Sequence, residues 1–161
     1  MKKISGILAP VLIFLALGIL LSLFKARDRI HIPEKSLKYV YNEKKNIRHP
    51  AVFYFWAWWC TVCRANQSFT DSSFKISQKM NTDFISIEEG ENPEKLKNYQ
   101  EEMHLTYPVA VPTDEEFWKS ARIREYPSTV FTNSSGEAVI IDSGILNPAS
   151  FLFRLLLARF L

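Results

Sequence analysis

The sequence predicts an α/β fold, with helices flanking a mixed central sheet and an N-terminal transmembrane helix ahead of it. Three observations carry this. From residue 51 onward, strand-like apolar runs alternate with longer mixed segments, which implies crossover connections and a mainly parallel sheet. Two strand-like runs then follow one another across a short glycine turn, adding an antiparallel hairpin. Residues 4–24, ISGILAPVLIFLALGILLSLF, contain no charge.

At about 1.5 Å per residue the uncharged run spans roughly 30 Å, the hydrocarbon thickness of a bilayer. A cleaved signal sequence competes with this reading. Its apolar region is normally about 7–15 residues and ends in a small-x-small site; this run is longer and LSLFKAR offers no such site. The chain is therefore divided into a membrane anchor (residues 1–27), a charged juxtamembrane spacer free to pair loosely with the domain (28–46), and a single domain (47–161). Lys2 and Lys3 precede the run, while Lys25, Arg27 and Arg29 follow it, partly offset by Asp28. The positive-inside rule thus gives no orientation. The net charge of +3 owes itself to the residues flanking the anchor. Beyond them acids and bases nearly balance, and no basic face suggests nucleic acid.

The domain begins with PAVFYFWA, read as a strand. A run without alternation, entered from Pro50, implies burial on both faces. Thr61 to Met80 is mixed in polarity and lacks glycine and proline, so it reads as a helix. DFISIEE is a second strand. NPEKLKNYQEEMH is a helix capped by Asn92, with Pro93 at its first position. YPVAV is a short strand, and DEEFWKSARI a short helix capped by Asp114. STVFTN and EAVIIDSG, joined at SSG, form the hairpin. Asn147 and Pro148 open a last helix through Phe160, apolar over most of its circumference. One face should pack on the sheet; the other could meet the spacer, a partner or a membrane surface.

Cys60 and Cys63 are the only cysteines. A C-x-x-C pair has three uses. A structural zinc site needs about four ligands, and His31, His49 and His104 have no ligand spacing to the pair. A purely structural disulfide over so tiny a loop constrains the unfolded chain very little. A redox couple fits the context: the pair sits where a strand ends and a helix begins, and unpaired N–H groups there favour a thiolate. In that reading Cys60 attacks and Cys63, one turn on and more buried, resolves.

FWAWWCTVCR resembles the active site of the thioredoxin superfamily, F-W-A-x-W-C-x-x-C-[KR], matching at Phe55, Trp56, Ala57, Trp59, Cys60, Cys63 and Arg64. REYPSTVFTNSSGE fits the family's second signature, a cis-proline loop before the hairpin, with Pro127 as that proline. The likeness covers about residues 47–161. YPVAVPTDEEFW and IREYPSTVF resemble the membrane-anchored TlpA/ResA-like branch, and CTVCRANQ looks most like its ScsD-type (suppressor of copper sensitivity) members. The resemblance implies a thioredoxin-like sandwich, with the backbone of Tyr126 pairing with bound substrate like an added strand.

Five positions depart from the family pattern. Tyr54 stands where thioredoxin has a buried aspartate that helps move the second cysteine's proton. Val62 stands where many reductases have proline, and Asn66 where the TlpA-like branch has glutamate. Ser68 replaces the proline that kinks the active-site helix, so no kink is expected. Tyr126 is also bulkier than the usual residue before the cis-proline. Among the aromatics, Phe53 and Phe55 read as core and Trp56 as buried under the cysteines. Trp59 reads as a flat apolar contact for substrate, and Trp58 as either exposed beside it or packed on a neighbouring loop.

The implied activity is protein thiol–disulfide exchange, reductive rather than oxidative, with no soluble cofactor and no metal. Catalysis falls to Cys60 and Cys63, and substrate contact to Trp59, Tyr126 and Pro127. The resemblance further implies electrons from a membrane thiol transporter of the DsbD/CcdA kind, protein disulfides as substrates, and a domain in the periplasm or extracytoplasmic space on the inner (cytoplasmic) membrane. The competing reading is a non-enzymatic chaperone or Cu(I)-handling module using the pair as soft ligands.

Overall fold

Ala51–Trp56 is buried at every position, as its unbroken apolar run requires of a strand covered on both faces. The computed structural model describes residues 30–161 apart from Lys45 and Glu91. The predicted anchor lies outside the described residues. Among those described, no helix is long and apolar enough to cross a membrane.

The strands are β1 (Leu37–Tyr41), β2 (Ala51–Trp56), β3 (Asp83–Glu88), β4 (Val109–Pro112), β5 (Ser128–Thr132) and β6 (Ala138–Ser143). The helices are α1 (Thr61–Ala65), α2 (Gln67–Lys79), α3 (Pro93–Met103), α4 (Glu115–Ala121) and α5 (Pro148–Ala158). The strands form one mixed sheet in the order β1-β4-β3-β2-β5-β6. β2, β3 and β4 run parallel, while β1, β5 and β6 pair antiparallel with their neighbours. The capping signals act as the sequence suggests: Asn92 accepts from Lys95 N at 3.0 Å, Asp114 from Phe117 N at 2.9 Å, and Asn147 from Ala149 N at 2.9 Å. Gly136, at φ 82°, turns the β5–β6 hairpin.

Alternation along β2 divides the core. Phe53 and Phe55 face a cluster with Ile85, Ile87, Phe117 and Ala121. Val52, Tyr54 and Trp56 face the cluster that holds both cysteines together with Leu96, Tyr99, Phe151 and Leu155.

Two features depart from the sequence reading. The segment read as a spacer contains β1, at the sheet edge against β4. Its half-buried Leu37, Tyr39 and Tyr41 alternate with exposed Lys38 and Val40. The active-site helix, expected to run unkinked, instead breaks at Asn66 into α1 and α2. The buried Asn66 amide replaces proline as the cause. Its Oδ1 accepts from Leu146 N at 3.1 Å and its Nδ2 donates to Tyr54 Oη at 3.4 Å. Its own N–H is shared between the Val62 and Cys63 carbonyls, at 3.0 and 3.2 Å, which tightens the turn there.

At the start of β3, the buried Asp83 carboxylate accepts from Lys44 Nζ at 2.8 Å, Arg48 N at 2.8 Å and Arg48 Nη2 at 3.1 Å. Burial works to raise its pKa, but the hydrogen bonds from Lys44 and Arg48 outweigh it and hold the carboxyl below its ordinary value. Because the folded value lies below the unfolded one of about 3.9, the stabilisation is complete above the unfolded pKa and is lost as pH falls through the folded value. Urea midpoints followed from pH 7 to pH 3 are expected to drop steeply at the acid end. Asp83→Asn should lower the pH 7 midpoint by about 1–3 kcal/mol of stability and flatten that acid limb; an unchanged acid limb would remove Asp83 from the account.

Candidate active site

β2 delivers the chain directly to the cysteines. Cys60 N donates to the Ala57 carbonyl at 3.1 Å, which folds the chain back after the strand. Cys60 then sits as the N-cap of α1, and its Sγ accepts from Cys63 N at 3.1 Å. Cys60 and Cys63 are joined in a disulfide, with Cα atoms 5.2 Å apart. Both are buried, at 7 % and 3 % exposure, with Cys60 the less buried residue.

The peptide bond between Tyr126 and Pro127 is cis. Ser128, next in the chain, pairs with Phe55, which sets the loop beside the end of β2. Pro127 is buried and Tyr126 half-buried. Trp59 is 50 % exposed. Its ring meets Tyr126 edge-on at 6.2 Å between centroids, and its indole N–H donates to Glu89 Oε2 at 2.9 Å. The three residues read from the sequence as substrate contacts are thus brought together. Trp118 joins them: it meets Tyr126 edge-on at 6.2 Å and rests on Phe55 and Phe117. Exposed Val62 extends the apolar surface beside the cysteines. Trp58 turns the other way, half-buried, with the Lys95 ammonium 4.5 Å over its ring. Trp56 lies beneath, 2 % exposed and 5.2 Å from the Tyr99 ring.

Tyr54, at the position of the family's carboxylate, is a buried phenol. Burial raises its pKa, against hydrogen bonds with Asn66 and Thr70 that lower it. It is therefore neutral at physiological pH. A carboxylate does stand near by, on the next strand. Glu88 is fully buried and pairs in register with Trp56. Its Oε1 accepts from Trp58 N at 3.2 Å and its Oε2 from Gly90 N at 2.7 Å, tying the β3 end to the turn that presents Cys60. Neither Glu88 nor Trp118 was singled out from the sequence. The available signal for Glu88 was an acid ending an otherwise buried strand, DFISIE. Among the described residues, no group of three or more His, Cys, Asp or Glu side chains is placed to hold a metal ion.

The pattern of one family, AhpC/TSA, matches residues 30–152, most of the chain and all of the elements that build this site. The chain belongs to the AhpC/TSA family. Its fold is the thioredoxin-like α/β arrangement of its structural neighbours. StoA from Bacillus subtilis superposes with a TM-score of 0.64 at 17 % identity, over 73 % of this chain and 92 % of that one. A thiol:disulfide interchange protein from Chlorobium tepidum does so with a TM-score of 0.58 at 22 % identity, over 67 % and 78 %. In sequence, this AhpC/TSA chain is 21 % identical over 92 residues to the thiol-disulfide oxidoreductase ResA of Geobacillus kaustophilus (strain HTA426), 57 % of this chain and 53 % of that relative. The chain therefore spans about half the length of the curated relatives it matches.

Replacing Glu88 tests how the turn is held. Glu88→Ala leaves the N–H groups of Trp58 and Gly90 without that acceptor and should destabilise the oxidised protein by about 2–4 kcal/mol; Glu88→Gln, which keeps one acceptor oxygen, should cost less. Urea denaturation of the two variants checks the order, and equal losses would count against this role.

Proposed function

We propose that this AhpC/TSA-family chain is a membrane-tethered thiol–disulfide oxidoreductase that works outside the cytoplasm and reduces disulfides in protein substrates. The observation that carries the reading is the Cys60–Cys63 disulfide at the head of α1, beside the cis Tyr126–Pro127 loop. The names of the relatives support the thiol–disulfide exchange, and the uncharged run at 4–24 and the rarity of stable protein disulfides in the cytosol support the compartment. The TlpA/ResA-like likeness supports the reductive direction, and CTVCRANQ supports a ScsD-type place within that branch.

In the reduced protein, the Cys63 N–H aimed at Cys60 Sγ favours a Cys60 thiolate. That sulfur attacks one sulfur of the substrate disulfide. The substrate S–S bond breaks, its second sulfur leaves as a thiolate that takes a proton from water, and a mixed disulfide forms. Cys63 then gives up its proton to water, which returns one to the departing substrate sulfur, and attacks the Cys60 sulfur. The remaining substrate thiol leaves, and two electrons have passed from the pair to the substrate. The neutral Tyr54 phenol does not take the Cys63 proton. Trp59, Tyr126 and Pro127 form the docking surface, with Tyr126 backbone available to an extended substrate. A membrane thiol transporter of the DsbD/CcdA kind re-reduces the pair.

Two experiments test this. Cys63→Ala in the full chain should accumulate mixed disulfides through Cys60, absent in Cys60→Ser/Cys63→Ala, and mass spectrometry of the trapped species identifies substrate and compartment. Tight Cu(I) binding with no exchange activity would instead favour the metal-handling module. The potential of the pair should lie near that of thioredoxin, about −270 mV; a value near −120 mV would reverse the direction.

The docking surface has its own readout. Trp59→Ala should lower kcat/KM towards a protein disulfide about tenfold while leaving exchange with a small disulfide such as cystine unchanged. Equal losses on both would assign Trp59 to the chemistry of the pair instead.

A further inference from the structure

The outward face of α5 is apolar and uncovered. Phe151, Leu155 and Ala158 are buried against the core. Phe153, Leu156, Leu157 and Phe160 recur at helical spacing on the other face, and Phe153 and Phe160 are 68 % and 87 % exposed. Residues 143–161 contain no acidic side chain. The two arginines are held at the flanks: Arg154 by Asp142 at 3.1 Å, and Arg159 by the Met80 carbonyl and the Thr82 hydroxyl. Phenylalanine and leucine on one face, cations at its edges and no carboxylate on the helix itself match the composition of a helix that lies in a membrane interface. A patch of this kind is unusual on a surface that meets only water.

The position of α5 says what covers it. The described chain starts at Ile30, whose carbonyl accepts from Ala138 N at 3.3 Å. Ala138 pairs with Thr132, the Thr132 hydroxyl bonds the Ala51 backbone, and Ala51 is level with Asp83. Thr82, which holds Arg159, adjoins Asp83. Ile30 and the end of α5 therefore lie at one pole of the domain. The cysteines follow Trp56 at the other end of β2, roughly 20 Å away along the strand. The short stretch between Phe24 and Ile30 reaches roughly 20 Å at full extension, so a bilayer that holds residues 4–24 keeps this pole close to its headgroups.

We propose that α5 docks on the lipid bilayer in which residues 4–24 are embedded, with Phe153, Leu156, Leu157 and Phe160 inserted at the boundary of headgroups and acyl chains. Docking restricts the tethered domain to one orientation. The inference rests on the anchor reading given under Proposed function. It adds a second, reversible attachment, because the buried apolar area is that of one helix face and not of a span.

The test uses the full chain in vesicles of phosphatidylcholine and phosphatidylglycerol that contain a trace of phosphatidylcholine with a diazirine on its acyl chain. After photolysis, mass spectrometry maps lipid adducts along the chain. Docking predicts adducts on both 4–24 and 150–161. Phe153→Ser/Phe160→Ser should reduce those on 150–161 about tenfold and leave those on 4–24 unchanged. Adducts confined to 4–24 would overturn docking and leave the anchor intact. Adducts on neither segment would overturn both. Peptide-to-peptide cross-links between copies at α5, in place of lipid adducts, would assign the face to a second copy of this chain and overturn the membrane reading.

Discussion

Burial of β2 on both faces is the constraint from which the site follows. Phe53 and Phe55 are committed to one side of the sheet, and Val52, Tyr54 and Trp56 to the other. A one-residue slip would exchange every one of them, so the register of the strand is fixed, and with it the point at which the chain leaves the sheet. Ala57, Trp58 and Trp59 then have room only for a turn, closed by Cys60 N on the Ala57 carbonyl. Cys60 arrives at the helix start because the strand ends where it must. Glu88 secures the same turn from the neighbouring strand: Trp56 and Glu88 are in register, and the Glu88 carboxylate reaches past that pair to the Trp58 N–H.

Beneath the cysteines, the polar groups are arranged to hold shape more than to move protons. Tyr54 and Asn66 hydrogen-bond each other, and Asn66 also takes the Leu146 N–H. The break between α1 and α2 is thereby coupled to the loop that leads into α5. An amide suits this task better than a carboxylate does, since it both donates to the phenol and accepts from the backbone and brings no buried charge. Asparagine and tyrosine at these two positions therefore make a neutral floor under the pair. The buried carboxylate lies one strand over, engaged with backbone N–H groups.

The sequence was most legible where a local pattern had one physical meaning. The unbroken run of β2, the acidic and amide caps of the helices, and a cysteine pair at a strand–helix junction all led to elements now seen. Reading failed where the cause was tertiary. β1 hides in a charged stretch because an edge strand needs only one half-buried face. The break at Asn66 could not be read from the absence of proline at Ser68, because its cause is a backbone N–H eighty residues away, at Leu146. Trp118 looked like any core residue of a short helix; only the fold brings it against Tyr126, where it extends the aromatic surface around Trp59.

The two ends of β2 are chemically opposite. The Cys60 end carries exposed Trp59 and Val62 and a half-buried Tyr126, an apolar surface. The Ala51 end is polar and closely tied. Asp83 gathers Lys44 and Arg48, and His49 bridges Glu34 at 2.8 Å and Thr132 at 2.9 Å. These contacts fasten the N-terminal segment from Glu34 to Arg48 to the sheet, so that a pull along the chain from residue 30 meets β1 and its ion pairs before it reaches β2. The strand that positions the disulfide is thus held at its Ala51 end by ion pairs and hydrogen bonds, while the exposed aromatic surface stands at its other end.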